Sequence, residues 1–140
     1  MLAARAQHVD EVIAPVLASG RDVVCDRFSG STIAYQGYGR GLDPGELVSL
    51  SRWAAGGLEP DLVILLRVPP DVALARRAAR SVAGAGTDRI EGEAAAFFAR
   101  IDAGFDALAA GDPGRWRVVD GAGEVEAVAR RVAEVVAEAL

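Results

Sequence analysis

The chain has 140 residues, 51% hydrophobic and 25% charged, with a net charge of −5. That length suits one domain with a true core, and no apolar run approaches the about 18 residues of a membrane-spanning helix. The acidic balance excludes a general nucleic-acid or membrane surface, and the single cysteine, Cys25, excludes an internal disulfide and fits a cytoplasmic protein.

Val9, Val12, Ile13, Val16 and Leu17 follow helical spacing and predict a first helix over residues 3–19. Pro15 should bend it and Gly20 should stop it. Arg5 lies near its start, where the macrodipole does not favour a cation. The apolar run Asp22-Val23-Val24-Cys25 predicts a buried strand over 22–26. Asp43-Pro44 is an N-cap followed by an N1 proline, and it opens a helix with Leu47, Leu50, Ser51 and Ala54 facing inward. Trp53 is expected to pack beside them, and Gly56-Gly57 to end the helix. Asp61 to Val68 is the clearest strand, apolar on both faces as in the middle of a parallel sheet. Pro69-Pro70-Asp71 ends it and opens a helix from Val72 to about Arg80. Arg76, Arg77, Arg80 and Arg89 surround the small residues Ser81 to Thr87, a composition suited to a mobile lid over residues 76–91. Phe97, Phe98, Ile101, Phe105 and Leu108 mark a long helix, Gly111 to Gly114 a turn, and Arg115 to Val119 a third strand. A closing amphipathic helix carries Val125, Val128, Val132, Val135 and Val136. Strands alternating with helices define an α/β fold, a parallel sheet flanked by helices.

The chain is organised around the stretch Asp26-Arg27-Phe28-Ser29-Gly30-Ser31-Thr32-Ile33-Ala34-Tyr35-Gln36-Gly37. In open α/β folds, ligands bind at the carboxyl ends of strands. Arg27 at such an end can hold a phosphate in bidentate geometry, and Ser31, Thr32, Tyr35 and Gln36 can hydrogen-bond a polar ring. Asp26-Arg27 alone equally describes an ion pair at a strand end; the twelve residues together point to a ligand.

This stretch resembles the thymidylate kinases, which carry Asp-Arg-Tyr/Phe followed by Ser-Ser/Thr and Ala-Tyr-Gln-Gly. The resemblance runs along almost the whole chain. It takes in Arg5-Ala6-Gln7-His8-Val9, Asp88-Arg89-Ile90-Glu91 with Phe97-Phe98, and Trp116-Arg117-Val118-Val119-Asp120. It implies a P-loop-NTPase-like sheet and phosphoryl transfer from ATP to dTMP, giving dTDP, with Mg²⁺. On this resemblance Arg27 holds the monophosphate, and Asp26 orients the phosphate and metal-bound water. Arg5, Thr32 and Gln36 read the thymine ring, and Tyr35 crowds the 2′ position and so prefers deoxyribose. The lid arginines, Arg76 and Arg80 first and with them Arg89, supply charge stabilisation to the transferring phosphate. The chain departs from the family pattern at Arg67, where many members have aspartate, and at Asp102 and Phe105, where many have arginine and tyrosine.

One motif is absent. Kinases of this type open with Gly-x-x-x-x-Gly-Lys-Ser/Thr, whose amides cradle phosphates and whose lysine reaches the β- and γ-phosphates. This chain has no lysine at all. Gly37-Tyr38-Gly39-Arg40-Gly41 is glycine-rich but lacks the strand-then-helix setting. The resemblance aligns Met1 after two strand–helix units, on the order of 60 residues, and places a further strand between those matching 22–26 and 61–68. The expectation is an N-terminally incomplete kinase domain: a fragment, a chain completed by a second polypeptide, or a rearranged sheet, with a homodimer as one route. Three functions stay open: a dTMP kinase, a non-catalytic thymidine-nucleotide-binding domain or half of a split kinase, and a deoxynucleoside kinase.

Overall fold

The N-terminal apolar stripe forms a helical stretch that changes pitch midway. Helix α1 (Leu2–His8) runs into a π-helical segment, Val9–Ile13, and then into α2 (Ala14–Ala18). Pro15 has no N–H to offer the carbonyl one turn back, so the wide turn falls where the α-helical ladder loses a bond. The stretch ends at Gly20, whose φ of 75° is open to glycine at no steric cost. Val9 and Ile13 are buried with Ala55, and Val23, Phe28 and Leu58 pack against them. The computed structural model describes residues 1–69, 71–73, 75 and 88–139, the last range by backbone alone over 88–94.

The run 22–26 is not a strand. It keeps the alternation of an extended chain, with Val23 and Cys25 half-buried and Asp22 and Asp26 exposed, and Val24 is 99% exposed. The cause is the absence of a neighbour: among the described residues the two strands pair with each other, and an apolar run without a ladder partner has one face to bury, not two.

The motif then turns helical. Helix α3 (Ser29–Thr32) continues into a second π-helical segment, Ile33–Gly39, which buries Ile33, Ala34, Gly37 and Gly39. Helix α4 (Pro44–Ala54) starts as expected, the Asp43 carboxylate accepting from the Glu46 N–H at 2.8 Å. Leu47, Ser51 and Ala54 face inward. Leu50 and Trp53 do not: they are 46% and 82% exposed, because they lie off the stripe that meets α1, α3 and the second π-helical segment.

Strand β1 (Val63–Arg67) pairs in parallel with β2 (Trp116–Asp120), from Val63 opposite Trp116 to Arg67 opposite Asp120. The register thus sets the unusual Arg67 across from a carboxylate. The expectation of a strand buried on both faces is not met, since Leu66 and Val118 are exposed on this two-stranded sheet. Helix α5 (Asp88–Gly111) precedes β2 and α6 (Val125–Ala139) follows it. Arg131 of α6 donates to the carbonyls of Asp120 and Ala122 at 2.7 and 2.9 Å, holding the end of β2.

The chain divides into two units: Met1–Pro60 with Ala96–Asp106, and Asp61–Ala95 with Ala107–Leu140. Among the described residues, no helix is long and apolar enough to cross a membrane.

Candidate functional site

Arg5 is the best-held side chain of the first unit. Its Nη2 donates to the Thr32 hydroxyl at 2.8 Å and to the Phe28 carbonyl at 3.1 Å. Its Nη1 donates to the Ser51 hydroxyl at 3.4 Å. The guanidinium also lies 5.2 Å from the centre of the Phe28 ring, within cation–π reach. Burial lowers the Arg5 pKa from its ordinary value. Arginine remains charged in proteins, so the acceptors around it offset the desolvation. The unfavourable position of Arg5 on α1 is therefore a consequence of where its head group goes, not a surface accident.

Arg27 is built differently. It is exposed, and its φ of 64° places it in the left-handed region that non-glycine residues seldom adopt. Such conformations cost about 1–3 kcal/mol and concentrate at ligand sites. The Cys25 thiol donates to the Arg27 carbonyl at 3.5 Å. The Arg27 guanidinium lies 5.5 Å from the centre of the Tyr35 ring. Tyr35 is itself fixed edge-on against Phe97 and Phe105 of α5, at 6.4 and 6.5 Å between ring centres. The aromatic face of α5 thus steadies the tyrosine that steadies Arg27. Phe105 fills this role where many family members carry tyrosine.

Next to Tyr35 in the π-helical segment, Gln36 has a buried Oε1 with no hydrogen-bond partner among the described residues. A buried acceptor left unsatisfied costs about 1–3 kcal/mol and asks for an explanation. Asp26 is exposed beside Arg27, and Ser31 is half-buried on α3. Arg89 lies in the first turn of α5. Arg76 and Arg80 lie outside the described residues. Thr32, Tyr35 and Gln36 therefore stand on one short helical stretch, Arg27 in the turn that leads into it, and Arg5 on the neighbouring α1. Phe28 and Ser51 join them as partners of Arg5 that the motif did not announce, although a serine on the inward stripe of α4 was a visible signal.

A donor-only cation held by a hydroxyl, an exposed arginine in a strained backbone and an orphaned amide oxygen make a site for an anionic ligand with a polar ring. The parallel strands and flanking helices are those of the P-loop NTPase fold. The Thymidylate kinase family pattern matches residues 1–132, and the chain belongs to this family. It is 50% identical over 143 residues to the thymidylate kinase of Solidesulfovibrio magneticus, an alignment covering 99% of this chain and 68% of that protein. It is 51% identical over 132 residues to that of Gloeobacter violaceus, covering 94% of this chain and 61% of that one. In the crystal structure of thymidylate kinase from Ehrlichia chaffeensis the same fold recurs, with a TM-score of 0.73 and 28% identity over 97% of this chain and 60% of that one. The chain thus spans about two thirds of the length of the curated relatives it matches.

Proposed function

We propose that this chain provides the dTMP site for phosphoryl transfer from ATP to dTMP, giving dTDP. The observation that carries this is the Arg5–Thr32 contact at 2.8 Å, which brings two separate motifs of the resemblance together. A guanidinium only donates, so it selects ring carbonyls; an orphaned Gln36 Oε1 accepts from a ring N–H. Thymine offers both. Arg27 takes the monophosphate, its charge exposed and its planar fork suited to two phosphate oxygens. Tyr35, held by Phe97 and Phe105, is too rigid to move aside for a 2′-hydroxyl.

For the transfer itself, Arg76, Arg80 and Arg89 are assigned to the ATP phosphates. The sequence contains no phosphate loop, so the residues named here are those of the dTMP side and the lid. Among the described residues there is no group of three or more His, Cys, Asp or Glu that could hold a metal ion. Mg²⁺ would be held through one or two carboxylates and the substrate phosphates, whose charge it would offset. Asp26, exposed beside Arg27, is the carboxylate that would meet its water shell.

The test is calorimetric titration of dTMP into the chain and into Arg27→Ala. The expected result is binding in the parent and a loss of about 10- to 150-fold in the variant, the range for hydrogen bonds to a charged group. Equal affinities in the two proteins, or thymidine bound as tightly as dTMP, would contradict the assignment.

A further inference from the structure

Among the described residues, the buried polar side chains are Thr32 and Ser51, 4% and 1% exposed. Both turn their hydroxyl to the same guanidinium. Thr32 belongs to the motif; Ser51 lies on α4, a helix to which the resemblance assigns no part in substrate binding. Two of the three Arg5 hydrogen bonds go to residues 28 and 32 through one nitrogen, Nη2. That nitrogen has two hydrogens, so both are engaged. These contacts pin one corner of the guanidinium, and the Phe28 ring, 5.2 Å from its centre, lies against one face. The Ser51 hydroxyl accepts from the other terminal nitrogen at 3.4 Å, a long contact, and limits the in-plane pivot about that corner. What remains is the Nε–H and one hydrogen on Nη1, with their directions fixed by the frame.

We propose that Ser51 is a positioning residue for Arg5, and that through it α4 sets the base selectivity of the site. The proposal rests on the dTMP reading above. A flexible arginine can reach a carbonyl or swing away from an amino group at little cost; one clamped at both terminal nitrogens cannot. Thymine and cytosine differ at this point, a carbonyl against an amino group on C4. Clamped Arg5 rewards the first and leaves the second as a donor facing a donor, which is discrimination by an unpaired buried polar group. Removing the Ser51 hydroxyl frees the pivot, so the wrong base is no longer penalised as strongly.

The experiment is calorimetric titration of the full chain with dTMP and with dCMP, for the parent, Ser51→Ala, Ser51→Cys and Ser51→Thr. Alanine removes the hydroxyl, cysteine keeps the volume without a strong acceptor, and threonine keeps the hydroxyl. The expected result is a fall in the dTMP/dCMP affinity ratio of about tenfold in the alanine and cysteine variants, the scale of one buried hydrogen bond, with the ratio kept in the threonine variant. A ratio unchanged in Ser51→Ala and Ser51→Cys, with the parent binding dTMP, overturns the role of Ser51 and leaves the dTMP reading standing. The same fall in the threonine variant also overturns it, because packing and not the hydroxyl would then be at work. A parent that binds no dTMP overturns the dTMP reading itself, and this inference with it.

Discussion

At the residue scale, two groups of the proposed site stand in costly settings. Arg27 occupies a left-handed backbone position, and Gln36 keeps a buried oxygen without a partner among the described residues. Both are local costs, of the kind tolerated where binding returns them. Gln36→Met keeps the length of the side chain and removes the orphaned acceptor. Its stability should be unchanged or higher by up to about 1 kcal/mol in urea denaturation. Its dTMP affinity should nonetheless fall by about tenfold, one hydrogen bond's worth. A variant less stable and equally avid would make Gln36 a packing residue. The sequence made Arg27, Thr32, Tyr35 and Gln36 visible because they are contiguous in a motif. The role of Phe28 was hidden because a backbone carbonyl and a ring face carry no pattern of their own, while Ser51 showed only as an inward serine on α4, with nothing to name its partner.

At the element scale, the helices were legible where capping and spacing speak plainly. Asp43 caps α4 as its position before Pro44 implied, and the stripe of α5 buries Ile101 as its period requires. The π-helical segments were not legible, although Pro15 announced a disturbance, since pattern shows that a ladder bond is lost but not how the chain absorbs it. The segment Ile33–Gly39 is held against α5 by close approach: a Cβ on Gly104 would stand 2.7 Å from Tyr38 Cγ and 2.8 Å from its Cβ. Those atoms are the rigid base of the ring and cannot swing clear. Gly104→Ala gains about 1 kcal/mol in helix propensity and loses about 1–3 kcal/mol to overpacking. The expected net is a lower melting temperature. A higher one would show that the segment can shift without penalty.

At the scale of the whole molecule, the α/β class was readable from strands alternating with helices, and β1 and β2 pair in parallel as that class requires. The run 22–26 was misread because apolar content reports what a segment can bury, not whether a neighbour is present to pair with it. With Val24 99% exposed, Val24→Lys should change the stability of the chain by less than about 0.5 kcal/mol. A buried sheet strand there would instead lose several kcal/mol, and a melt of the variant decides between them. The assignment of the chain to the thymidylate kinase family stands on a match over residues 1–132, and the proposed dTMP site rests on Arg5 and its contact with the motif. The most direct measurement is therefore the dTMP affinity of the chain and of Arg5→Ala by calorimetry, with folding of both verified by circular dichroism. We predict binding in the parent and a loss of about 10- to 150-fold in the variant, the range for a charged hydrogen-bond donor. A folded Arg5→Ala chain that binds dTMP as tightly as the parent would contradict the account.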